Sequence, residues 1–147
     1  MSMKYENEVK ISLPREKVIR LFDSEENLFK WQPDLISFEH ISGDKGEVGA
    51  RSKLRYKMGK REIEMIETIT VKNLPLEFSG TYEAKGVWNE VKNYFDEIDD
   101  QTTRWRSESY FRFRGFMRII AFLMPGSFKK QSQKYLDLFK AFAEEEA

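Results

Sequence analysis

Cysteine is absent from this 147-residue chain, and histidine occurs only once, at His40. Without cysteine, the chain has no disulfides, no thiolate metal ligands and no cysteine nucleophile. A single histidine cannot build a standard zinc site, and no Gly-x-Ser-x-Gly sequence supplies the serine of a hydrolase triad. We therefore expect no metal ion and no cofactor, and we expect His40 at the surface or at the rim of the fold.

A net charge is also absent, since 25 lysines and arginines balance 25 aspartates and glutamates. No global positive field attracts nucleic acid, and no acidic excess indicates a disordered tail. Basic residues alternate along 51–57 and 104–114, where acids on neighbouring strands answer them. This pattern is typical of a solvated sheet face, and we expect no nucleic-acid partner.

Long apolar runs are lacking as well. The longest, 116–124, contains Arg118 and has about half of the ~20 residues that a membrane helix needs, so no transmembrane segment is expected. The charged beginning of the chain lacks the apolar core of a secretory signal, and we expect a cytoplasmic protein. The length suits a single domain over residues 1–147, because two ordinary domains need a longer chain.

The chain does contain a clear succession of strand and helix patterns. Alternation over 5–13 predicts a first strand that ends before Pro14, and Pro14 favours a helix start with Ser12 or Leu13 as the cap. Two short helices are predicted there, the second reaching Trp31. Six further strands and a long final helix complete the order of elements.

The registers of two hairpins follow from turn chemistry and from matching apolar positions. Tight turns at 59–60 and 85–86 pair opposite charges on the outside and apolar groups on the inside. The predicted inner pairs are Tyr56 with Ile63, Leu54 with Met65, Ser52 with Glu67, Tyr82 with Asn89, Gly80 with Val91 and Phe78 with Asn93.

A third hairpin is predicted around 98–101. The alternation of inward and outward side chains fits either a three-residue loop or a five-residue loop. The longer loop sets Asp96 against Arg104 and Lys92 against Glu108, whereas the shorter one sets like charges together. We therefore choose the longer loop. It places Phe95 beside Trp105 and Asn93 beside Ser107 on the inner face.

The inner face of the predicted sheet mixes polar with apolar side chains. Each buried polar group without a hydrogen-bond partner destabilises a closed core by about 1–3 kcal/mol. Water or a ligand in the core would supply the missing partners. Alternatively, these groups bond one another, as Asn93 and Ser107 could, or lie near the open rim of the sheet. A pocket with apolar walls and a few polar groups is the interpretation we favour. The predicted ligand-binding residues are Trp31, Tyr56, Met65, Glu67, Phe78, Tyr82, Asn89, Asn93, Trp105, Ser107, Ser109, Phe111, Phe128, Ser132 and Tyr135.

Glu67 is the sharpest single candidate for chemistry, because it is a carboxylate between Met65 and Ile69 on an apolar face. Burial there would raise its pKa and suit general acid or base catalysis, with Tyr56 or Tyr82 polarising a carbonyl. The alternatives are a glutamate held by Ser52, one solvated near the strand end, or one turned outward by a bulge. No catalytic residue is assigned beyond this candidate.

The end of the chain combines an apolar segment with an amphipathic helix. Phe128, Ser132, Tyr135, Phe139 and Phe142 mark one helical stripe that would face the sheet. The preceding segment, 116–124, is apolar nearly all round a short helix. It is a candidate flap at the pocket mouth, a homodimer or other protein contact, or a peripheral membrane contact, and a buried turn is the alternative.

These elements, in this order, resemble the SRPBCC superfamily of START-like and birch-pollen-allergen-like proteins, within it the polyketide cyclase/dehydrase-like group. The segments that carry the resemblance are 30–36 (Lys-Trp-Gln-Pro-Asp-Leu-Ile), 43–51 with its Gly-Glu-Val-Gly, and 134–144 (Lys-Tyr-Leu-Asp-Leu-Phe-Lys-Ala-Phe-Ala-Glu). The resemblance implies an α+β helix-grip fold, in which a curved antiparallel sheet of about seven strands wraps around a long C-terminal helix. It also implies two short helices after the first strand and a hydrophobic pocket between sheet and helix.

The resemblance implies no single reaction, because members include lipid or hormone carriers, polyketide cyclases, coenzyme-binding proteins and stress proteins. We expect binding of a small hydrophobic ligand, whether lipid, isoprenoid, aromatic or polyketide-like, rather than catalysis. The first alternative is a cyclase or dehydratase-like enzyme that uses Glu67 as acid or base. The second is a protein-interaction module that uses 116–124.

Overall fold

The computed structural model describes residues 1–146, which form seven strands and four helices. The strands are β1 (Ser2–Ile11), β2 (Leu35–Ser42), β3 (Arg51–Met58), β4 (Arg61–Asn73), β5 (Glu77–Ala84), β6 (Val87–Asp99) and β7 (Thr102–Phe113). The helices are α1 (Arg15–Phe22), α2 (Glu25–Trp31), α3 (Phe116–Leu123) and α4 (Pro125–Glu146).

All seven strands belong to one antiparallel sheet in the order β1-β7-β6-β5-β4-β3-β2. Strand β1 therefore pairs with the last strand, and the chain then crosses through α1 and α2 to the opposite edge. Helix α4 lies against β1, where the Asn7 amide donates to Gln133 Oε1 at 2.9 Å and the Lys140 ammonium donates to the Lys10 carbonyl at 2.6 Å. The predicted long helix gripped by a seven-stranded sheet is confirmed.

The sheet curves where β4 and β5 carry an irregularity in register. The pairing shifts between Ile69 and Val71, and Gly80 lies opposite this bulge. A Cβ on Gly80 would come within 2.8 Å of the Thr68 carbonyl oxygen, so only glycine permits the two strands to approach this closely. A bulge beside a glycine bends a sheet, and this bend wraps the strands around α4.

The predicted registers of the first two hairpins are confirmed pair by pair, including Ser52 with Glu67 and Tyr82 with Asn89. The third hairpin also has the predicted pairs, with Asn93 opposite Ser107. Its connection differs from the five-residue loop, because the strands continue to Asp99 and Thr102 and a bulge absorbs the extra residue. Charge pairing thus predicted the register, but not the bulge that produces it.

One expectation about helix ends changes in the structure. Pro14 itself is the N-cap of α1, in place of Ser12 or Leu13, and no side chain caps this helix. Ser24 caps α2, since its hydroxyl accepts from the Asn27 amide at 3.2 Å. Proline has no side-chain acceptor for the first-turn amides of α1, and its carbonyl accepts from the Lys17 and Val18 amides at 3.0 and 3.1 Å.

An aromatic cluster fills one end of the space between sheet and helices. Phe139 of α4 lies between two tryptophans, with ring centroids 5.2 Å from Trp31 and 5.4 Å from Trp105. Phe22 of α1 packs edge-on against Phe95 at 5.0 Å. These rings form the closed core of the molecule, and the rest of the inner face is free to border a cavity.

Candidate functional site

A cavity of about 440 Å³ lies between the curved sheet and α4. The aromatic cluster closes one end, and the exposed Glu25 and Lys45 border an opening to solvent. All residues predicted for the pocket lie on its wall. They come from α2 (Trp31), β3 (Tyr56), β4 (Met65, Glu67), β5 (Phe78, Tyr82), β6 (Asn89, Asn93), β7 (Trp105, Ser107, Ser109, Phe111) and α4 (Phe128, Ser132, Tyr135).

Among residues 1–146, Glu67 is the only acid on the inner wall away from the opening, and it is directly opposite Tyr82 in the register of β4 and β5. Burial raises the pKa of the Glu67 carboxyl, and the nearby Tyr82 hydroxyl partly opposes that rise. No bulge turns Glu67 outward, and its strand partner on the other side is Ser52. The structure therefore excludes the outward alternative and places the carboxyl beside the cavity.

Two tyrosines complete a polar group around this carboxyl. Burial raises the pKa of Tyr82 well above its usual value, and the nearby Glu67 charge raises it further. Burial also raises the pKa of Tyr56, whose hydroxyl donates to Gln32 Oε1 at 2.7 Å. Both phenols are therefore neutral donors at any ordinary pH. We call Tyr56, Glu67 and Tyr82 the polar cluster.

Helix α4 brings a second set of polar atoms to the cavity. The Tyr5 hydroxyl donates to the Phe128 carbonyl at 3.0 Å and pairs with Ser132 Oγ at 2.7 Å. Tyr135 lies one helical turn further along the wall, with its ring 6.4 Å from that of Tyr56. Polar side chains thus reach the cavity both from the sheet and from the helix.

Several polar groups on the inner face are satisfied within the protein. Trp105 Nε1 donates to Asn93 Oδ1 at 2.9 Å, and the Asn89 amide donates to the Tyr110 carbonyl at 3.2 Å. Asn93 is therefore held by Trp105 rather than by Ser107, the partner that the sequence suggested. Among residues 1–146, the buried Trp31 Nε1 has no hydrogen-bond partner. Trp31 borders the cavity, and its Nε1 atom is buried within the wall.

The sequence missed some residues of the wall. Tyr5 lies on the same face of β1 as the buried Val9, so the alternation along this strand could have predicted its inward position. Gln32 and Gln131 also border the cavity, but glutamines beside a helix end or on a helix flank carry no distinctive pattern. Their places depend on how α2 and α4 pack on the sheet.

The apolar segment 116–124 forms α3, and none of its residues lies on the cavity wall. Phe116 and Phe122 are 69% and 74% exposed, so the expectation of a buried turn is wrong. The segment is not a flap over the cavity in this structure either, because Met117 packs on the Gly86 turn instead. His40 is exposed, as predicted, and its Nε2 lies 2.8 Å from the Gly43 carbonyl.

No helix within 1–146 has the length and apolar character to cross a bilayer. No three histidine, aspartate or glutamate side chains in the same range come together as metal ligands.

No family model and no curated protein matches the chain by sequence, whereas many solved structures match its fold. An aromatase/cyclase from a Streptomyces species superposes with a TM-score of 0.83 at 11% identity, over 98% of this chain and 94% of that one. Ara h 8.0201 gives a TM-score of 0.74 at 15% identity, over 97% and 98%. Norcoclaurine synthase from Thalictrum flavum, in complex with dopamine and hydroxybenzaldehyde, gives 0.69 at 13% identity, over 94% and 86%. The chain therefore has the helix-grip fold that these structures share, as its sequence resemblance implied.

Proposed function

We propose that the protein binds a small apolar molecule with at least one hydrogen-bonding group in the cavity between the sheet and α4. The observation that carries the proposal is the joining of the polar cluster to an otherwise apolar wall in a cavity of about 440 Å³. Ligand pockets are commonly ~300–1,000 Å³ in volume, mostly apolar, with a few polar groups that orient the ligand.

The wall indicates how such a molecule would lie. Ile63, Met65 and Ile69 line the sheet side and would contact the apolar body of the ligand. The Tyr56 proton is donated to Gln32, so the polar cluster offers the Tyr82 phenol and, while Glu67 is protonated, a carboxylic acid as donors. A carbonyl or hydroxyl oxygen is the complementary group, which suits a lipid, isoprenoid, aromatic or polyketide-like ligand. The structural neighbours support this, since norcoclaurine synthase holds two aromatic molecules in a protein of the same fold.

The proposal is tested by filling the cavity. Val91 borders the cavity between Gly80 and Ser109 on the neighbouring strands, so a Val91→Phe side chain would extend over small neighbours into the open space. Binding of anilinonaphthalene sulfonate is measured by fluorescence, and molecules retained after gentle purification are detected by native mass spectrometry. Loss of ~60 Å² of apolar contact corresponds to about tenfold weaker binding, and we expect at least that.

Val48→Phe is the matched control, because the same change is made at a valine that is 59% exposed and outside the cavity wall. Both variants leave α3 unaltered, so any probe bound there contributes equally to both. Equal affinity of the two variants, or a wild type that neither retains nor takes up any apolar compound, would overturn the proposal.

A second candidate function, acid–base catalysis, is favoured by one specific observation. Glu67 has a raised pKa and lies beside a neutral phenol, an arrangement suited to moving a proton next to a polarised carbonyl. The aromatase/cyclase and norcoclaurine synthase share the fold, and this supports aromatic or polyketide-like carbonyl substrates as the first to examine.

Catalysis and binding are separated by Glu67→Gln, which keeps the shape of the side chain and removes its proton chemistry. Dopamine with hydroxybenzaldehyde is the first substrate pair, and the product is followed by chromatography. An enzyme that uses Glu67 should lose at least ~100-fold in turnover while binding changes much less. Full turnover by the variant would exclude Glu67 as the catalytic residue.

A further inference from the structure

The positive charge of the chain is unevenly distributed despite a net charge of zero. No aspartate or glutamate occurs between Glu108 and Asp137, a stretch that carries six lysines and arginines. Backbone hydrogen bonding joins Arg114 to Gly86 at 2.9 Å, so Lys85 on the neighbouring turn adds to the same region. Within residues 1–146, the ion pairs involve other cations. This end of the molecule therefore presents unpaired positive charge.

Helix α3 lies within this positive region and is apolar on both of its sides. Its inner side packs on the sheet, with Ala121 fully buried against Phe111 and Phe113. Its outer side leaves large apolar side chains more than half exposed: Phe116, Ile119, Phe122, Leu123 and, just after the helix, Met124. Scattered exposed apolar residues are ordinary, but five within nine residues form a contiguous patch that marks an interaction surface.

We propose that this end of the molecule docks on an anionic lipid bilayer. The docking surface consists of the five exposed apolar residues of 116–124 and the exposed cations around them, Lys85, Arg114, Arg118, Lys129 and Lys130. Apolar side chains on a short helix enter the headgroup boundary, and lysines and arginines beside them pair with anionic headgroups. The helix lies in the interface and does not span it.

Charge decides between a bilayer and a second copy of this chain. A twofold dimer through the docking surface would place the same patch on both sides of the interface. Such a dimer would bring the cations of the two copies into one interface, and residues 109–136 contain no acid to pair with them. Like charges brought together in this way oppose association, whereas anionic lipid is complementary to them.

The docking surface adjoins the cavity. Val87 and Phe128 pack with Met117 in the cluster beneath α3, and both also line the cavity wall. Docking would therefore bring one end of the cavity to the bilayer, so that an apolar ligand could pass between them; this consequence rests on the proposed function. Docking itself does not rest on the proposed function. A Val91→Phe variant, whose cavity is filled, should therefore bind vesicles as the wild type does.

The test is sedimentation of the full chain with vesicles of phosphatidylcholine alone and of equal parts phosphatidylcholine and phosphatidylglycerol. We expect binding to the anionic vesicles that weakens strongly from about 0.1 M to about 1 M salt, where charges are screened beyond ~3 Å. Phe116→Ser with Phe122→Ser should weaken binding by more than about tenfold. Arg118→Gln and Lys129→Gln should each weaken it about fivefold.

The matched control is Leu76→Ser with Ile98→Ser, which removes two apolar side chains that are 53% and 44% exposed elsewhere. It should bind vesicles as the wild type does, and circular dichroism should show every variant folded. A wild type that ignores anionic vesicles, or a control that loses as much binding as the phenylalanine variant, would overturn the proposal. A dimer in sedimentation equilibrium that only the phenylalanine changes dissociate would assign the surface to a second copy instead.

Discussion

Tyr82 lies directly opposite Glu67 on the adjacent strand, and both side chains border the cavity. Burial raises the pKa of both groups, and the neighbouring Tyr82 hydroxyl favours the carboxylate form of Glu67 against that effect. A carboxyl held in this way changes protonation closer to neutrality than an exposed glutamate does. This relationship has a consequence for stability that does not depend on any ligand.

We expect Glu67→Gln to become more stabilising, relative to wild type, as the pH rises above 4.5, the ordinary pKa of glutamate. The folded-state pKa is raised, so the folded wild type binds more protons than the unfolded chain between the two pKa values. Its free energy of unfolding therefore falls through that window, while the glutamine variant has no such loss. Denaturant titrations over a pH series measure the difference, and a difference that is constant with pH would contradict the burial of this carboxyl.

The two buried tryptophans at the end of the cavity should respond differently to the same substitution. Trp105→Phe removes a donor from Asn93 Oδ1, whereas Trp31→Phe removes a donor that has no partner among the described residues. Both lose similar apolar volume, so we expect Trp105→Phe to cost about 1 kcal/mol more in unfolding free energy. Equal costs would show that the Asn93 bond contributes nothing.

The sheet was predictable from sequence to the level of individual pairs. Turn residues at 59–60 and 85–86 fix each hairpin locally, and a register slip by one residue would have moved Glu64 inward and Met65 outward. The same parity placed every predicted cavity residue of the strands on the inner face. These inferences succeeded because strand alternation and cross-strand charge are short-range properties.

What escaped prediction depends on packing between elements. The Tyr56 bond to Gln32 exists only because α2 lies over β3, a placement that no local pattern encodes. Helix α3 is apolar on both sides, so its sequence could not indicate which side would be covered. The stripe of α4 was also incomplete, since Leu136 and Ala143 are buried alongside Phe139.

Helix α4 has two parts, one that packs in the closed core and one that borders the cavity, and two phenylalanines should distinguish them. Phe139 is fully buried among four aromatic rings, so Phe139→Ala should cost about 3–5 kcal/mol in unfolding free energy. Phe128 is only partly buried, and Phe128→Ala should cost about 1–3 kcal/mol while enlarging the cavity. Thermal and denaturant unfolding measure both. A larger cost at Phe128 would mean that the cavity end carries more of the packing.

The far end of α4 is attached to β1 by a charged contact whose pH dependence should be opposite to that of Glu67. Glu144 Oε2 accepts from the Ser12 backbone N–H at 2.8 Å and from the Lys140 ammonium at 2.9 Å, and the pKa of this carboxyl is lowered. Because the folded-state pKa lies below 4.5, the contact stabilises the fold above that pH and is lost as the pH falls through the folded value. The group is largely solvated, so Glu144→Gln should cost about 1 kcal/mol or less at neutral pH. That cost should vanish in acid, as unfolding titrations would show. A cost that persists at low pH would mean that Glu144 acts through packing rather than through its charge.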